Sequence, residues 1–219
     1  MSNLPRLPPE AFAKQDPTPD VLFYAQPRFV THIDDAAVDA VTDLYRTHLP
    51  TGGRILDLMS SWVSHLPAEV AYDAVIGHGL NDRELAANPR LTQRFVQDLN
   101  VDPILPLRSA SIDAAVICVG VQYLQDPVGV LREVARVLVP DAPVIISFSN
   151  RCFPTKAVAI WRSLGGDDQA RLIELYLRHA GFSGVAAYGV VPEGGQSDPL
   201  WAVIGRTVAT SDGQAVSPP

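Results

Sequence analysis

Arg54-Ile-Leu-Asp-Leu-Met-Ser-Ser-Trp-Val-Ser-His65 is the stretch that decides how this chain is read. Its first five residues, an apolar run interrupted by one acid, read as a buried strand from Arg54 to Leu58 with Asp57 near its carboxyl end. Met59-Ser-Ser-Trp-Val63 then reads as a turn that carries two small hydroxyl side chains and no glycine. In open α/β sheets, ligands sit at the carboxyl ends of the strands, so an acid at this point marks a candidate ligand edge.

Outward from this stretch, helix and strand signals alternate. Asp34 or Asp35 caps a helix whose apolar positions Val38, Val41, Leu44 and Tyr45 fall at helical spacing, and Gly52-Gly53 ends that element. Further strands are expected at 73–77, 92–97, 112–119 and 143–148, with a late pair at 185–191 and 200–205. Helices are expected at 127–138, 155–163 and 169–180, the last ended by Gly181. Asn81-Asp-Arg-Glu84 has the form of a capping box, with Asn81 accepting from the first turn and Glu84 reaching back. Continuous apolar runs such as Ala114-Ala-Val-Ile-Cys-Val119 fit strands covered on both faces. The fold class is α/β: a doubly wound, mostly parallel seven-stranded sheet with helices on both faces, completed by a late antiparallel partner.

The chain has 219 residues, enough for one domain with a substantial core. Residues 1–22, rich in proline, read as a flexible leader; 23–206 form the domain; 207–219 read as a disordered tail. The formal net charge of −7 and the absence of a Lys/Arg cluster speak against a nucleic-acid partner. No apolar run is long enough to cross a membrane and the amino-terminal stretch lacks a secretory pattern, so a cytoplasmic location is expected. Cys118 and Cys152 lack metal-ligand spacing and are expected to be reduced, with no metal bound.

From about Phe23 to Arg206 the chain resembles the class I S-adenosylmethionine-dependent methyltransferase family, whose fold is Rossmann-like. Five segments carry the likeness: Ile55-Leu-Asp-Leu58; Gln97-Asp98-Leu99; Leu105-Pro-Leu followed by Ser111-Ile-Asp-Ala-Ala-Val116; Leu131-Arg-Glu-Val-Ala-Arg-Val-Leu138; and Val139-Pro-Asp-Ala-Pro-Val144. The resemblance implies S-adenosylmethionine as cofactor. It places Asp57, Met59, Ser60 and Ser61 at the cofactor turn, Asp98 and Leu99 at the adenine, and Val119 and Gly120 under the transferred methyl. The sequence departs from the family in two ways. The turn after Asp57 has no glycine, where the family uses several to let backbone approach the ligand. Gly79 also stands where the family has the acid that accepts from the ribose hydroxyls. Asn81 is then either a substitute acceptor or simply a helix cap, and Ser60 and Ser61 are expected to keep an anion-binding turn at a helix start.

The acceptor side is expected from polar residues at the same rim. Gln122 and Tyr123 follow the fourth strand, and Asn150 and Arg151 follow the fifth. Tyr24, Arg28 and His32 precede the first long helix, where the family folds a segment over the cofactor. Tyr24, Arg28, Gln122, Asn150 and Arg151 are candidate substrate contacts, Arg28 because its planar fork suits a carboxylate. His32 and Tyr123 are candidate general bases; His65 and His78 are read as structural or solvated. The reading is methyl transfer to a small-molecule acceptor by in-line displacement. The competing reading is a non-catalytic methyltransferase-like protein that has lost its cofactor site. A nicotinamide-dinucleotide binder fits poorly, since no G-x-G-x-x-G follows the first strand. The acceptor, the attacked atom and the oligomeric state are not fixed by the sequence.

Overall fold

The structure is a computed structural model that describes residues 7–209. Seven strands form one sheet in the order β3-β2-β1-β4-β5-β7-β6. They are β1 (Arg54–Leu58), β2 (Ala74–Gly79), β3 (Gln93–Val96), β4 (Ala114–Cys118), β5 (Pro143–Ser149), β6 (Ser183–Val191) and β7 (Leu200–Arg206). The pairs β1–β2, β1–β4, β2–β3 and β4–β5 are parallel, while β7 lies antiparallel between β5 and β6. Strand order therefore reverses at β1, and the carboxyl ends of β1 and β4 flank the switch point where such sheets hold ligands.

Alternation along the strands divides the core in two. Ile55, Val75, Ala114, Val116 and Ile145 face one side, where Val41 and Tyr45 of α2 (Asp35–His48) cover them; α1 (Asp20–Phe23) precedes that helix. Leu56, Ile76, Ala115, Ile117 and Ile146 face the other side, under α4 (Pro127–Val137) and α6 (Gly166–Ala180). The short helices α3 (Asp82–Ala87) and α5 (Ala159–Ser163) flank the sheet. The caps follow local chemistry. Asp34 accepts from the Ala37 N–H, Asp126 from the Gly129 N–H, and Gly181 closes α6 in the left-handed region at φ 99°.

The sequence-based expectation fails at three places. Residues 59–73, between β1 and β2, form no helix, so the serine turn is not the start of one. Glu84 does not close a capping box: its Oε1 accepts from the Arg28 N–H, far along the chain. Most of the proline-rich segment expected to be flexible is packed. Residues 9–12 form a 3-10 turn, Lys14 makes an antiparallel bridge to Val158, and the Asp16 N–H donates to the Thr155 carbonyl at 2.9 Å. Beneath it lies an ionic cluster centred on a buried lysine. Lys156, fully buried, lies 3.1 Å from Asp16 and 3.4 Å from Asp20, and Lys14 pairs with the same Asp20. At the other end, Thr207 is buried and its hydroxyl accepts from the Ala142 N–H; the rest of the expected tail, from residue 210, lies outside the described residues.

Candidate active site

A cavity of ≈ 510 Å³ opens at the carboxyl ends of β1, β2 and β4, within the ~300–1,000 Å³ typical of cofactor and ligand sites. Its floor is Asp57, Met59, Ser60, Ser61, His78, Gly79, Asp98, Leu99, Val119 and Gly120. Its cover comes from Asp20, Tyr24 and Val30 to Asp34, with Tyr123, Arg151, Cys152, Phe153 and Asp198 closing the side. Two segments distant in sequence thus form opposite walls.

The floor is built under backbone strain. Met59, His65 and Val119 all line the cavity with positive φ (59°, 51° and 46°), a region that L-residues rarely adopt. Met59 takes this conformation at the position where glycine was missed. The close approach that glycine would give is supplied from the neighbouring strand. A Cβ added to Gly79 would lie 2.6 Å from the Ser60 carbonyl oxygen, so the turn runs against bare β2 backbone. For the same reason no acid can stand at Gly79.

Asp57 is 3% exposed and its Oδ2 accepts from the Ser60 hydroxyl at 2.6 Å. Burial pushes its carboxyl up to about 6, against the opposing hydrogen bonds from Ser60 and Ser64. The Ser61 hydroxyl donates to Glu84 Oε2 at 2.5 Å. The two serines therefore brace carboxylates rather than present an anion site. The Asn81 side-chain oxygen accepts from the Arg83 and Glu84 N–H groups, and its amide donates to the Tyr24 and Ala25 carbonyls. Every polar atom of Asn81 is committed, which corrects its assignment as a substitute ribose acceptor. The carboxylate at this point of the cavity belongs to Glu84, which is 8% exposed, accepts one hydrogen bond at each oxygen and has no cationic partner among the described residues. Asp98 lines the cavity and its Oδ1 accepts from the Asn100 N–H at 3.0 Å.

On the acceptor side the structure sorts the expected residues. Tyr24, His32, Tyr123 and Arg151 line the cavity. Arg28, Gln122 and Asn150 do not. The Arg28 guanidinium stacks over Phe23, Tyr24 and Phe153, and donates to the Phe23 carbonyl. Gln122 is 1% exposed and donates to the Val119 carbonyl beneath the floor. Asn150 is exposed outside the rim. The Tyr123 hydroxyl accepts from the Phe153 N–H at 2.9 Å, and burial pushes it up to about 12, so it is a wall and not a base. Burial lowers His32, which is neutral at pH 7 and free to accept a proton. Arg151 donates to Asp198 at 2.8 Å, and Asp198 and Asp34 exchange backbone–carboxylate bonds, latching the β6–β7 connection to the start of α2.

Sequence reading missed Glu84, His78, Phe153 and Asp198 as cavity residues. Only Glu84 carried a signal, as a carboxylate three residues from Asn81; a lone histidine in an apolar strand carries none. Among the described residues no group of three His, Cys, Asp or Glu side chains is placed to hold a metal ion. No helix among them is long and apolar enough to cross a membrane.

Residues 60–146, less than half of the chain, match the family model of a methyltransferase domain. No curated protein matches the sequence. Among solved structures, the chain is similar to the [4+2]-cyclase SpnF (18% identity, 87% of this chain and 93% of that one, TM-score 0.61). It is similar to a putative methyltransferase complexed with the Haloferax volcanii Trm112 activator (13% identity, 80% and 91%, TM-score 0.60). A third is an S-adenosylmethionine-dependent methyltransferase from Mesorhizobium loti (17% identity, 77% and 99%, TM-score 0.54). At these identities the structural likeness establishes the fold. That fold is the one shared by S-adenosylmethionine-dependent methyltransferases, and residues 60–146 carry the likeness to a methyltransferase domain in sequence as well. The cofactor of such methyltransferases is S-adenosylmethionine, and the cavity suits it in size, in carboxylate acceptors at Asp57, Glu84 and Asp98, and in a floor kept open at Gly120, where a Cβ would lie 2.9 Å from that of Met59.

Proposed function

We propose that this protein binds S-adenosylmethionine across the carboxyl ends of its parallel strands and methylates a small-molecule acceptor. The observation that carries this reading is the cavity itself. Strand-end carboxylates line one wall, a packed amino-terminal segment forms the other, and the space between them admits a small acceptor more readily than a polymer. When bound, the cofactor supplies an electrophilic sulfonium methyl, which an acceptor atom takes by in-line displacement. Asp98 would accept from the adenine amino group, Leu99 would pack on its ring, and Glu84 would take the acceptor role toward the ribose that Gly79 cannot fill. Val119 and Gly120 keep the floor close and dry. His32 accepts a proton from a hydroxyl or ammonium acceptor, while Tyr24 and Tyr123 confine it.

A second reading, ligand binding without methyl transfer, is favoured by one observation: the hydroxyls of Ser60 and Ser61 and all of Asn81 are already satisfied within the protein. The fold also hosts a protein named as a cyclase, so fold alone does not fix the reaction. Incubation with methyl-labelled S-adenosylmethionine and a panel of small amines and phenols, beside bulk protein and RNA, separates the readings. Label entering the small-molecule fraction supports methyl transfer, with His32→Gln lowering kcat by roughly 10²-fold for hydroxyl acceptors. Label in the macromolecules alone, or in nothing, overturns it.

A further inference from the structure

We propose that His78 is the positioning residue that holds the glycine-free cofactor turn in shape. The proposal rests on the functional reading above, since the turn it holds is the floor of the proposed cofactor site. His78 sits in β2, 2% exposed, at the edge of the cavity. It grips both loops that carry the strand-end acids. Its Nδ1 accepts from the Met59 N–H at 3.1 Å, and its main-chain carbonyl accepts from the Ser60 N–H at 2.6 Å. Its Nε2 lies 2.9 Å from the Gln97 carbonyl oxygen, next to Asp98, and its ring packs on Phe95 at 5.1 Å between centroids.

The chemistry fixes the tautomer. A carbonyl oxygen only accepts, so Nε2 carries the proton and Nδ1 is left bare, as acceptance from Met59 requires. Burial pushes the imidazole down to about 4, so the ring is neutral at pH 7 and keeps that acceptor. Met59 is held at φ 59°, a conformation disfavoured for an L-residue by roughly a factor of ten in equilibrium. A glycine would adopt it unaided; methionine needs an external tie, and the bond to His78 supplies one. Gly79 completes the arrangement by leaving room for the Ser60 carbonyl. Consecutive residues of β2 thus do the work that the turn's own sequence omits: one pulls the turn in, the other makes space for it.

The test uses the conservative variants. In His78→Asn the side-chain oxygen overlays Nδ1 and keeps the tie to Met59; in His78→Gln the amide overlays Nε2 and keeps only the tie to Gln97; His78→Phe keeps neither. Each variant is checked for folding by near-UV circular dichroism and titrated with S-adenosylhomocysteine in a calorimeter. The assignment expects His78→Asn to stay within about threefold of the parent, while His78→Gln and His78→Phe lose roughly tenfold or more. In a Met59→Gly background the same His78→Phe change is expected to cost at most about threefold, because glycine no longer needs the tie. Equal losses in all three variants, or a His78→Phe loss undiminished by Met59→Gly, would overturn the assignment. Failure of the parent protein to bind the ligand would instead defeat the functional reading. In that case the tautomer, read from imidazole ¹⁵N shifts, and the coupling of His78 to Met59 in urea unfolding still decide whether the tie exists; a fully protonated or Nδ1–H ring, or additive unfolding energies, would overturn it.

Discussion

The floor and the cover of the cavity are held by opposite means. The floor is held by short-range contacts without ion pairs: backbone ends of β1, β2 and β4, a bare imidazole, and a carboxyl whose pKa burial raises. The cover is charged and long-range: residues 14–20 are pinned to buried Lys156 by a cluster of two lysines and two aspartates, of which Asp16 is partly exposed. The floor must present backbone to a ligand and so tolerates strain, whereas the cover has only to stay in place and close a wall. The shape of this site therefore comes from the sheet, while its enclosure comes from one ionic anchor.

Breaking the anchor has the largest expected effect. Lys156→Met removes a fully buried cation from between two acids and two further oxygens, the Asp16 and Thr18 carbonyls, and is expected to cost roughly 3–5 kcal/mol, read as a lower urea midpoint. If the cover is independent of the floor, near-UV signals from Phe23, Tyr24 and Phe153 should weaken first. The floor is probed by Asp57→Asn. Asp57 titrates near 6 when folded, above its ordinary 3.8, so the folded chain holds the proton more tightly than the unfolded one. The stability this gives is complete below about pH 4 and is lost as pH rises through 6, about 3 kcal/mol in all. Asp57→Asn should flatten that slope in pH-dependent unfolding and leave the protein more stable at pH 7 while weakening cofactor binding. An unchanged slope would show that the carboxyl is not desolvated.

The two regions meet at Asn81, which caps α3 in the floor and donates to Tyr24 and Ala25 in the cover. Asn81→Ala is expected to cost about 2 kcal/mol, a cap plus the lost ties, and to raise protease sensitivity near Tyr24. The smallest effect is expected at the lip. Phe29, 49% exposed, meets Trp62 edge to face at 6.4 Å, so Phe29→Ala should change stability by only about 0.5 kcal/mol.

The same contrast explains what could be read from the chain. β1 was legible residue for residue, and so were the acids at its end and after β3, because strand periodicity and position at the carboxyl edge are local signals. The cover was not: prolines at 17 and 19 look like a loose leader, and nothing near them announces that Lys156 will be buried against Asp16 and Asp20. The absent helix after the serine turn was hidden because Ser60 and Ser61 look like caps, yet both hydroxyls are drawn to carboxylates, one of them on α3. His78 was invisible for a related reason: its partners are backbone groups of two other loops, and no spacing in the sequence records them.

The most direct test of a working cofactor floor without glycines is calorimetric titration of the full chain with S-adenosylhomocysteine at pH 7. The account predicts a saturable one-to-one isotherm, weakened roughly tenfold or more by Asp98→Ala in a protein that remains folded. An absence of heat at millimolar ligand, or an affinity indifferent to Asp98→Ala, would contradict it.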